Sequence, residues 1–423
     1  MIIKNINIGI FGLGYVGLPL AIEFGKKFNV FAYDNNKNRI NDLKKNIDKN
    51  NDIKKKDFQL SKFIHFTSHL DQLKKCNVFI VAVPTPITKS KKPDLSYIKS
   101  ACKNVGSLLK SKDIIIFEST VYPGLTEEVC VPILEKKSKL KFNVDFYCGY
   151  SPERINPNDN KHNIRNIVKI TSGSNKETAN IVDNLYKKII NAGTYKVSSI
   201  KIAEAAKVIE NAQRDLNIAF VNELSIIFDK LNLDTSEILK AASTKWNFIK
   251  FQPGLVGGHC IGVDPYYLTY RSKKSGFNPR VITSGRVTND KMSDYVINKS
   301  IKNLNKVFNN KKYKFLVLGL TFKENCSDYR NSKSIEIVEK LKNKNHQVDC
   351  FDPLIKIKDF NQKKSIKMIK KIKKQYYNCV ILSVGHNYFK KIGYKKINSY
   401  LLPNGLIFDI KNILPKNKKS LYL

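Results

Sequence analysis

The spacing of hydrophobic and polar positions changes character twice along this chain of 423 residues. Up to about residue 190, short apolar runs alternate with stretches of helical spacing, the pattern of a parallel α/β sheet. Strands are predicted at 5–11, 30–33, 63–67, 78–83, 114–118 and 144–150, with later strands at 167–172 and 194–198 around a helix at 175–191. From 200 to 231 the chain runs without Gly or Pro, which predicts one long helix fit to serve as a spine and a subunit contact. A glycine-rich loop at 253–262 follows, then more helix to 307 and a linker at 309–312. A second α/β unit is predicted from strands at 314–319, 347–352, 378–385 and 405–410, with 355–374 as a solvated helix and loop surface. The expected fold class is therefore α/β, two Rossmann-like α/β domains joined by a long central helix and a helical dimerisation domain. Its boundaries fall at 1–198, 199–308 and 309–423.

Composition supports packed cores, with 42% hydrophobic and 10% aromatic residues. No apolar run of about 18 residues exists to span a bilayer, and the N-terminus enters a strand with no secretion signal. A cytoplasmic enzyme with no membrane partner is the expectation. The formal charge of +39 resembles a nucleic-acid footprint. Yet of 75 basic residues only those at 39, 154, 165, 214, 271, 280, 286 and 330 are arginine, and the lysines are spread along the chain. Base and phosphate readers lean on arginine, so codon bias accounts for the charge better than nucleic-acid binding does. The eight cysteines form no CxxC pair and no metal-ligand spacing, so reduced thiols and no metal are expected.

The first strand runs into Gly12-Leu13-Gly14-Tyr15-Val16-Gly17 and then a helix. Gly12 allows the tight turn, Gly14 lets backbone approach a pyrophosphate, and Gly17 allows close helix–strand packing. The anion sits on the helix N-terminus, where unpaired N–H groups and the macrodipole favour it. Asp34 ends the next strand, where a carboxylate holds ribose hydroxyls and repels a 2′-phosphate. The cofactor expected is NAD.

Cys260 lies in Gly257-Gly258-His259-Cys260-Ile261-Gly262-Val263-Asp264-Pro265. On the residues alone it is either a buried structural thiol or a nucleophile in a loop open enough for a reacting carbon. Glu204, Lys207 and Asn211 share one helix face. That face is either a solvated ion-pair surface or a place where Lys207 and Asn211 hold an oxyanion. Thr120 and Glu153 leave the fifth and sixth strands at their C-terminal ends, where open α/β sheets place ligands, though plain turns read the same way.

These motifs, with Ser119-Thr120-Val121, Ser151-Pro152-Glu153-Arg154 and Gly319-Leu320-Thr321-Phe322-Lys323 followed by Asp328, Arg330 and Ser332, resemble the UDP-glucose/GDP-mannose dehydrogenase family over essentially the full length. Within it the chain is most similar to the UDP-N-acetylhexosamine 6-dehydrogenases of the Vi-polysaccharide type. The resemblance implies an NAD-binding first domain, a central domain with the catalytic cysteine loop, and a UDP-sugar-binding third domain. It implies a four-electron oxidation of a sugar C6 alcohol by two NAD⁺, supplying a uronate for surface polysaccharide. Thr120 and Asp264 hold a water that takes the alcohol proton. Cys260 attacks the aldehyde, Lys207 and Asn211 stabilise the oxyanion, and water activated near Glu153 and Asp264 hydrolyses the thioester. Tyr15, Val16, Asp34, Arg39 and Thr85 are implied at the cofactor, and Lys207, Gly257 and Lys323 at the UDP-sugar. Arg330 is implied at the NAD site of a partner subunit, hence a homodimer or higher homo-oligomer.

Two departures bear on the substrate. Glucose-type members carry a lysine where this chain has Val263, and an acidic residue where it has Pro157. With His259, these shift the expected substrate to a UDP-N-acetylhexosamine, UDP-GlcNAc or UDP-GalNAc before UDP-N-acetylmannosamine or UDP-glucose. A two-electron 3-hydroxyacid-type dehydrogenase leaves the cysteine loop and the C-terminal unit unexplained.

Overall fold

Val78–Val81 and Ile114–Phe117 are uninterrupted apolar runs buried at every position, as a parallel sheet covered on both faces requires. They form the middle of the first of two sheets in the computed structural model, which describes residues 5–50, 53–88, 90–155, 163–258, 261–363, 366–417 and 419–423. The chain divides into two compact units, Met1–Glu210 with Tyr266–Phe277, and Asn211–Pro265 with Asn278–Leu423.

The first unit runs β1 (Asn7–Phe11), α1 (Gly17–Phe24), β2 (Asn29–Tyr33), α2 (Lys37–Lys44), α3 (Lys55–Leu60), β3 (Ile64–Thr67), β4 (Val78–Val81), α4 (Ser96–Gly106), β5 (Ile114–Phe117) and α5 (Val131–Ser138). It continues with β6 (Tyr147–Tyr150), β7 (Lys169–Gly173), α6 (Lys176–Lys187), β8 (Thr194–Lys196) and the start of α7 (Ile200–Lys230). Among the described residues its strands form one eight-stranded sheet in the order β3-β2-β1-β4-β5-β6-β7-β8. The first six follow a dinucleotide-binding order, whose ligand crevice opens where β1 and β4 diverge. Ile8, Ile10, Val30, Ile80 and Ile116 pack with Leu20, Phe24, Val182 and Tyr186 into the core beneath it.

One pairing departs from the all-parallel sheet expected. β7 runs antiparallel to β6, with Gly149 opposite Gly173 and Tyr150 opposite Ser172. A parallel return needs a long crossover, usually helical, and among the described residues of 151–168 only a 3₁₀ turn at Ile164–Asn166 is present.

The second unit holds the rest of α7, α8 (Thr235–Ala242), the first residues of α9 (Asp264–Lys274), and α10 (Arg280–Leu304). It then runs β9 (Lys314–Leu318), α11 (Lys333–Asn343), β10 (Gln347–Phe351), α12 (Ile357–Lys363), β11 (Tyr377–Leu382), α13 (Asn387–Asn398), β12 (Leu401–Asp409) and β13 (Ser420–Tyr422). Its sheet order is β10-β9-β11-β12-β13, a doubly wound order with the switch point between β9 and β11. The 355–374 stretch departs from the solvated surface expected. Phe360, Ile366 and Met368 are buried and join the core of this sheet, so lysines alternate there with apolar anchors. Lysine stems lie along apolar surface while their heads reach water, which hides such anchors in a charge count.

Helix α7 spans 31 residues. Ile202, Ile209, Phe220 and Ile227 remain exposed on it. Steps of seven and eleven residues return to nearly the same helical azimuth, so these four form one apolar stripe.

Candidate active site

In the first unit the fingerprint turn is built as its glycines demand. Gly12 has φ +89°, and a Cβ there meets the Ala82 carbonyl oxygen at 2.8 Å. A Cβ on Gly17 falls 1.8 Å from the Gly12 oxygen, whereas above Gly14 nothing lies within 4 Å. That open space is the room a pyrophosphate needs. Helix α1 has no side-chain cap and no acidic residue in its first turn, so its N–H groups and positive dipole end face an anion unopposed. These features fit NAD. Tyr15, Val16 and Thr85 are half-buried around the same loops.

Asp34 and Arg39 both grip Leu13. Asp34 Oδ2 accepts the Leu13 amide at 2.9 Å, and Arg39 Nε donates to the Leu13 carbonyl at 3.1 Å. The carboxylate retains acceptor capacity for ribose hydroxyls, since two oxygens offer about four sites. The guanidinium also donates to buried Asp48 at 2.7 Å, a partner missed in the sequence because Asp48 sits outside any motif.

Thr120 follows β5 and is half-buried. The turn after it is fastened by Glu204, which accepts the Gly124 amide at 2.5 Å, the Thr126 amide at 3.0 Å and the Thr126 hydroxyl at 2.6 Å. Burial pushes the Glu204 carboxyl up to about 7, against the pull of these donors. Glu204 is thus an anchor of the Thr120 turn rather than part of a solvated face. Lys207, one turn further, is also buried, and its ammonium has no hydrogen-bond or ion-pair partner among the described residues.

Glu153 is buried after β6. Its Oε1 accepts the Arg154 and Ile155 amides at 2.6 Å each, and Oε2 lies 3.5 Å from Lys169 Nζ. Lys169 and its stronger partner Glu118 gave no signal in sequence, because a lone charge in an apolar strand matches no motif.

In the second unit Asn211 Nδ2 donates to Asp264 Oδ2 at 2.5 Å, and Asp264 is 1% exposed at the start of α9. The cysteine loop is anchored before it turns. Asn222 of α7 accepts the Gly254 amide at 2.8 Å and donates to its carbonyl at 3.0 Å, imitating a paired backbone. Gly257 and Gly258 are required by contact: a Cβ on the first meets the Asn331 oxygen at 2.6 Å, and on the second Phe322 at 2.7 Å. His259, Cys260 and Pro157 lie outside the described residues.

Lys323 follows β9 at the switch point of the second sheet. There Gly319 has φ +85° against Val384, and Leu320 donates its amide to Asp352 at 2.7 Å. Asp352 repeats what Asp34 does for Leu13. Buried His386 bridges the same loop, accepting the Asn325 amide at Nδ1 (2.9 Å), with Nε2 3.1 Å from Asp352. Arg330 is more than half exposed and folds onto Asp328 of its own loop, with contacts of 2.6–3.1 Å. Among the described residues no cluster of His, Cys, Asp and Glu has metal-holding geometry, and no helix is long and apolar enough to cross a membrane.

Comparison with known proteins gives these loops a family. Residues 6–190 match the NAD binding domain of the UDP-glucose/GDP-mannose dehydrogenase family, 201–291 its central domain and 316–416 its UDP binding domain. The chain is 49% identical to a UDP-N-acetyl-D-glucosamine 6-dehydrogenase of Salmonella typhi, covering 100% of this chain and 99% of the relative. It is 50% identical to an enzyme of the same name from Pseudomonas aeruginosa, covering 99% and 100%. A solved UDP-D-ManNAc dehydrogenase from Pyrococcus horikoshii superposes with a TM-score of 0.88 at 27% identity, covering 99% of this chain and 98% of that one. A phosphate-ready first switch point, a lysine at the second and three consecutive domain matches have one reading: the chain belongs to the UDP-glucose/GDP-mannose dehydrogenase family and is an NAD-dependent oxidoreductase of UDP-sugars.

Proposed function

We propose that the protein oxidises the C6 alcohol of UDP-N-acetyl-D-glucosamine to the uronic acid, through a thioester on Cys260. The sugar identity follows the two full-length relatives at about half identity, ahead of the mannosamine enzyme at 27%. The observation that carries the chemistry is Lys207, a buried residue whose ammonium meets no hydrogen-bond or ion-pair partner among the described residues, one helical turn before Asn211. A charge and a neutral donor arranged in advance stabilise an oxyanion without reorganisation.

Bound NAD supplies a hydride acceptor for each of two oxidations. Thr120 and Asp264 orient the water that takes the alcohol proton. The Cys260 thiolate forms the C–S bond to the aldehyde carbon, and Lys207 and Asn211 hold the resulting oxyanion. Once the thioester has formed, Glu153 takes a proton from water, the C–S bond breaks, and the thiolate leaves with its electron pair. Alcohol, water and two NAD⁺ thus yield uronate, two NADH and three protons. Asp34 and Arg39 order the adenosine side of the cofactor loop, Gly257 and Lys323 bind the UDP-sugar, and Arg330 serves a partner subunit. Residues 1–198 bind NAD, 199–308 carry the cysteine loop and the subunit contact, and 309–423 bind UDP.

The α7 stripe supports an oligomer, since an apolar stripe of this length on a spine helix fits a second copy. Seven cysteines outside any disulfide among the described residues support a reducing, cytoplasmic setting, where the uronate serves surface polysaccharide synthesis. The test is stoichiometry: two NADH per UDP-GlcNAc are expected, with faster turnover on UDP-GlcNAc than on UDP-GalNAc, UDP-ManNAc or UDP-glucose. One NADH per sugar, or an aldehyde end product, overturns the reading.

A further inference from the structure

One buried cation of the first unit has no part in the steps above. Lys169 opens β7 with its side chain 4% exposed. Its Nζ lies 2.6 Å from Glu118 Oε2, 2.9 Å from the Pro152 carbonyl and 3.5 Å from Glu153 Oε2. Glu118 ends the β5 run and directly precedes Ser119-Thr120. The second oxygen of Glu118 accepts the phenol of Tyr186 from α6, and the ammonium stands 5.4 Å over that ring. Burial pushes the Glu118 carboxyl up to about 7, opposed mainly by the charge of Lys169.

The antiparallel reversal of β7 explains how the lysine arrives there. Continuing the register from Gly149–Gly173 and Tyr150–Ser172 carries Glu153 opposite Lys169. Had β7 run parallel, its first residue would begin at the opposite edge of the sheet. The reversal instead delivers a cation to the C-terminal edge, where the Thr120 and Glu153 turns both begin. Ser151 Oγ donates to the Ile170 carbonyl at 2.7 Å and Ser172 Oγ to the Tyr150 carbonyl at 2.8 Å, holding that register.

We propose that Lys169 is a positioning residue for Glu153, its ammonium anchored on Glu118 and the Pro152 carbonyl so that the carboxylate of the 152–155 turn is held where it takes a proton from the hydrolytic water. A buried charge tied to two carboxylates selects one arrangement of its neighbours, and a carboxylate that must meet one water gains from that selection. The inference rests on the assignment of Glu153 to thioester hydrolysis. In that step water adds to the thioester carbon, Glu153 accepts one of its protons, and the C–S bond breaks with the electron pair going to sulfur. Displacing Glu153 slows this step and leaves formation of the thioester intact.

The experiment uses the full-length enzyme with NAD and UDP-GlcNAc, comparing Lys169→Met, Lys169→Arg, Glu118→Gln and Glu153→Gln by steady-state kinetics and intact mass of acid-quenched protein. Lys169→Met is expected to lower kcat at least about tenfold, to leave KM for UDP-GlcNAc within about threefold, and to accumulate a covalent sugar adduct. Lys169→Arg, which restores the cation, is expected to reduce that adduct. Wild-type kcat without adduct in Lys169→Met, while Glu153→Gln accumulates one, overturns the role of Lys169 and leaves that of Glu153 standing. Absence of adduct with wild-type turnover in Glu153→Gln removes the underlying assignment. Should Lys169→Met not fold, Glu118→Gln decides: it keeps the Tyr186 contact but removes the stronger anchor, so partial adduct is expected and wild-type behaviour overturns the proposal.

Discussion

Asn211 Nδ2 donates to Asp264 Oδ2 at 2.5 Å, fastening the middle of α7 to the residue that opens α9. Asp264 is almost wholly withdrawn from water, and a buried carboxylate demands donors. Asn211→Ala deletes one and is expected to lower stability by about 1–3 kcal/mol. It also removes the oxyanion donor proposed above, so kcat is expected to fall about 100-fold while NAD affinity is unchanged. Denaturant unfolding and NADH release at saturating substrate check both halves, and wild-type values in both contradict the pairing.

Cys260→Ala is expected to abolish uronate formation while NAD binding persists, because the thioester has no other nucleophile to form on. Cys260→Ser retains a poorer nucleophile and is expected to lose at least three orders of magnitude in kcat. NADH titration followed by product chromatography separates the two effects. Loss of cofactor binding in Cys260→Ala would mean the thiol is structural.

Asp34 holds the cofactor loop through the Leu13 amide, and the proposed function gives it the ribose as well. Asp34→Ala is expected to weaken NAD at least tenfold and to narrow the preference over NADP, since the charge that repels a 2′-phosphate is gone. Fluorescence titrations with NADH and NADPH measure both, and an unchanged ratio of affinities argues against Asp34 as the selector.

Glu204 makes stability depend on pH in a definite direction. Its folded pKa of about 7 lies above the unfolded value, so the native state holds a proton that the unfolded chain has released. The stability it contributes is full below the unfolded pKa and is lost as pH rises through about 7. Glu204→Gln is expected to flatten that loss between pH 5 and 8. Its amide nitrogen faces the Gly124 N–H, so the variant is also less stable at low pH. Melting temperatures across this range test the slope; parallel curves for both proteins refute the assignment.

The α7 stripe gives a prediction about assembly. Phe220→Glu combined with Ile209→Glu puts two carboxylates into an apolar surface, and light scattering is expected to report a dimer or larger for the wild type and a monomer for the variant. An unchanged mass moves the subunit contact elsewhere.

Much of this was legible along the chain because the signals are local. The strand before Gly12, the spacing to Asp34 and the absence of Gly and Pro across α7 depend on residues that are neighbours in sequence. Lys207 and Asn211 fall on one helix face by spacing alone. Asp48, Glu118, Lys169 and Asn222 were invisible for the converse reason, since each acquires its role from a partner reached only through folding. The lysine-rich stretch before β11 misled because its charges outnumber the few apolar side chains that anchor it.

The sequence by itself determined the family, the NAD fingerprint and the two doubly wound sheets, because glycine requirements and apolar periodicity are properties of adjacent residues. Tertiary structure alone decided that Glu204 fastens the Thr120 turn, that Asp352 repeats for Leu320 what Asp34 does for Leu13, and that β7 reverses. That reversal depends on a connection without a described crossover helix, and it brings a buried lysine to Glu153. Charge in an apolar interior is tolerated only where a partner is waiting, and the partner's position is a property of the fold.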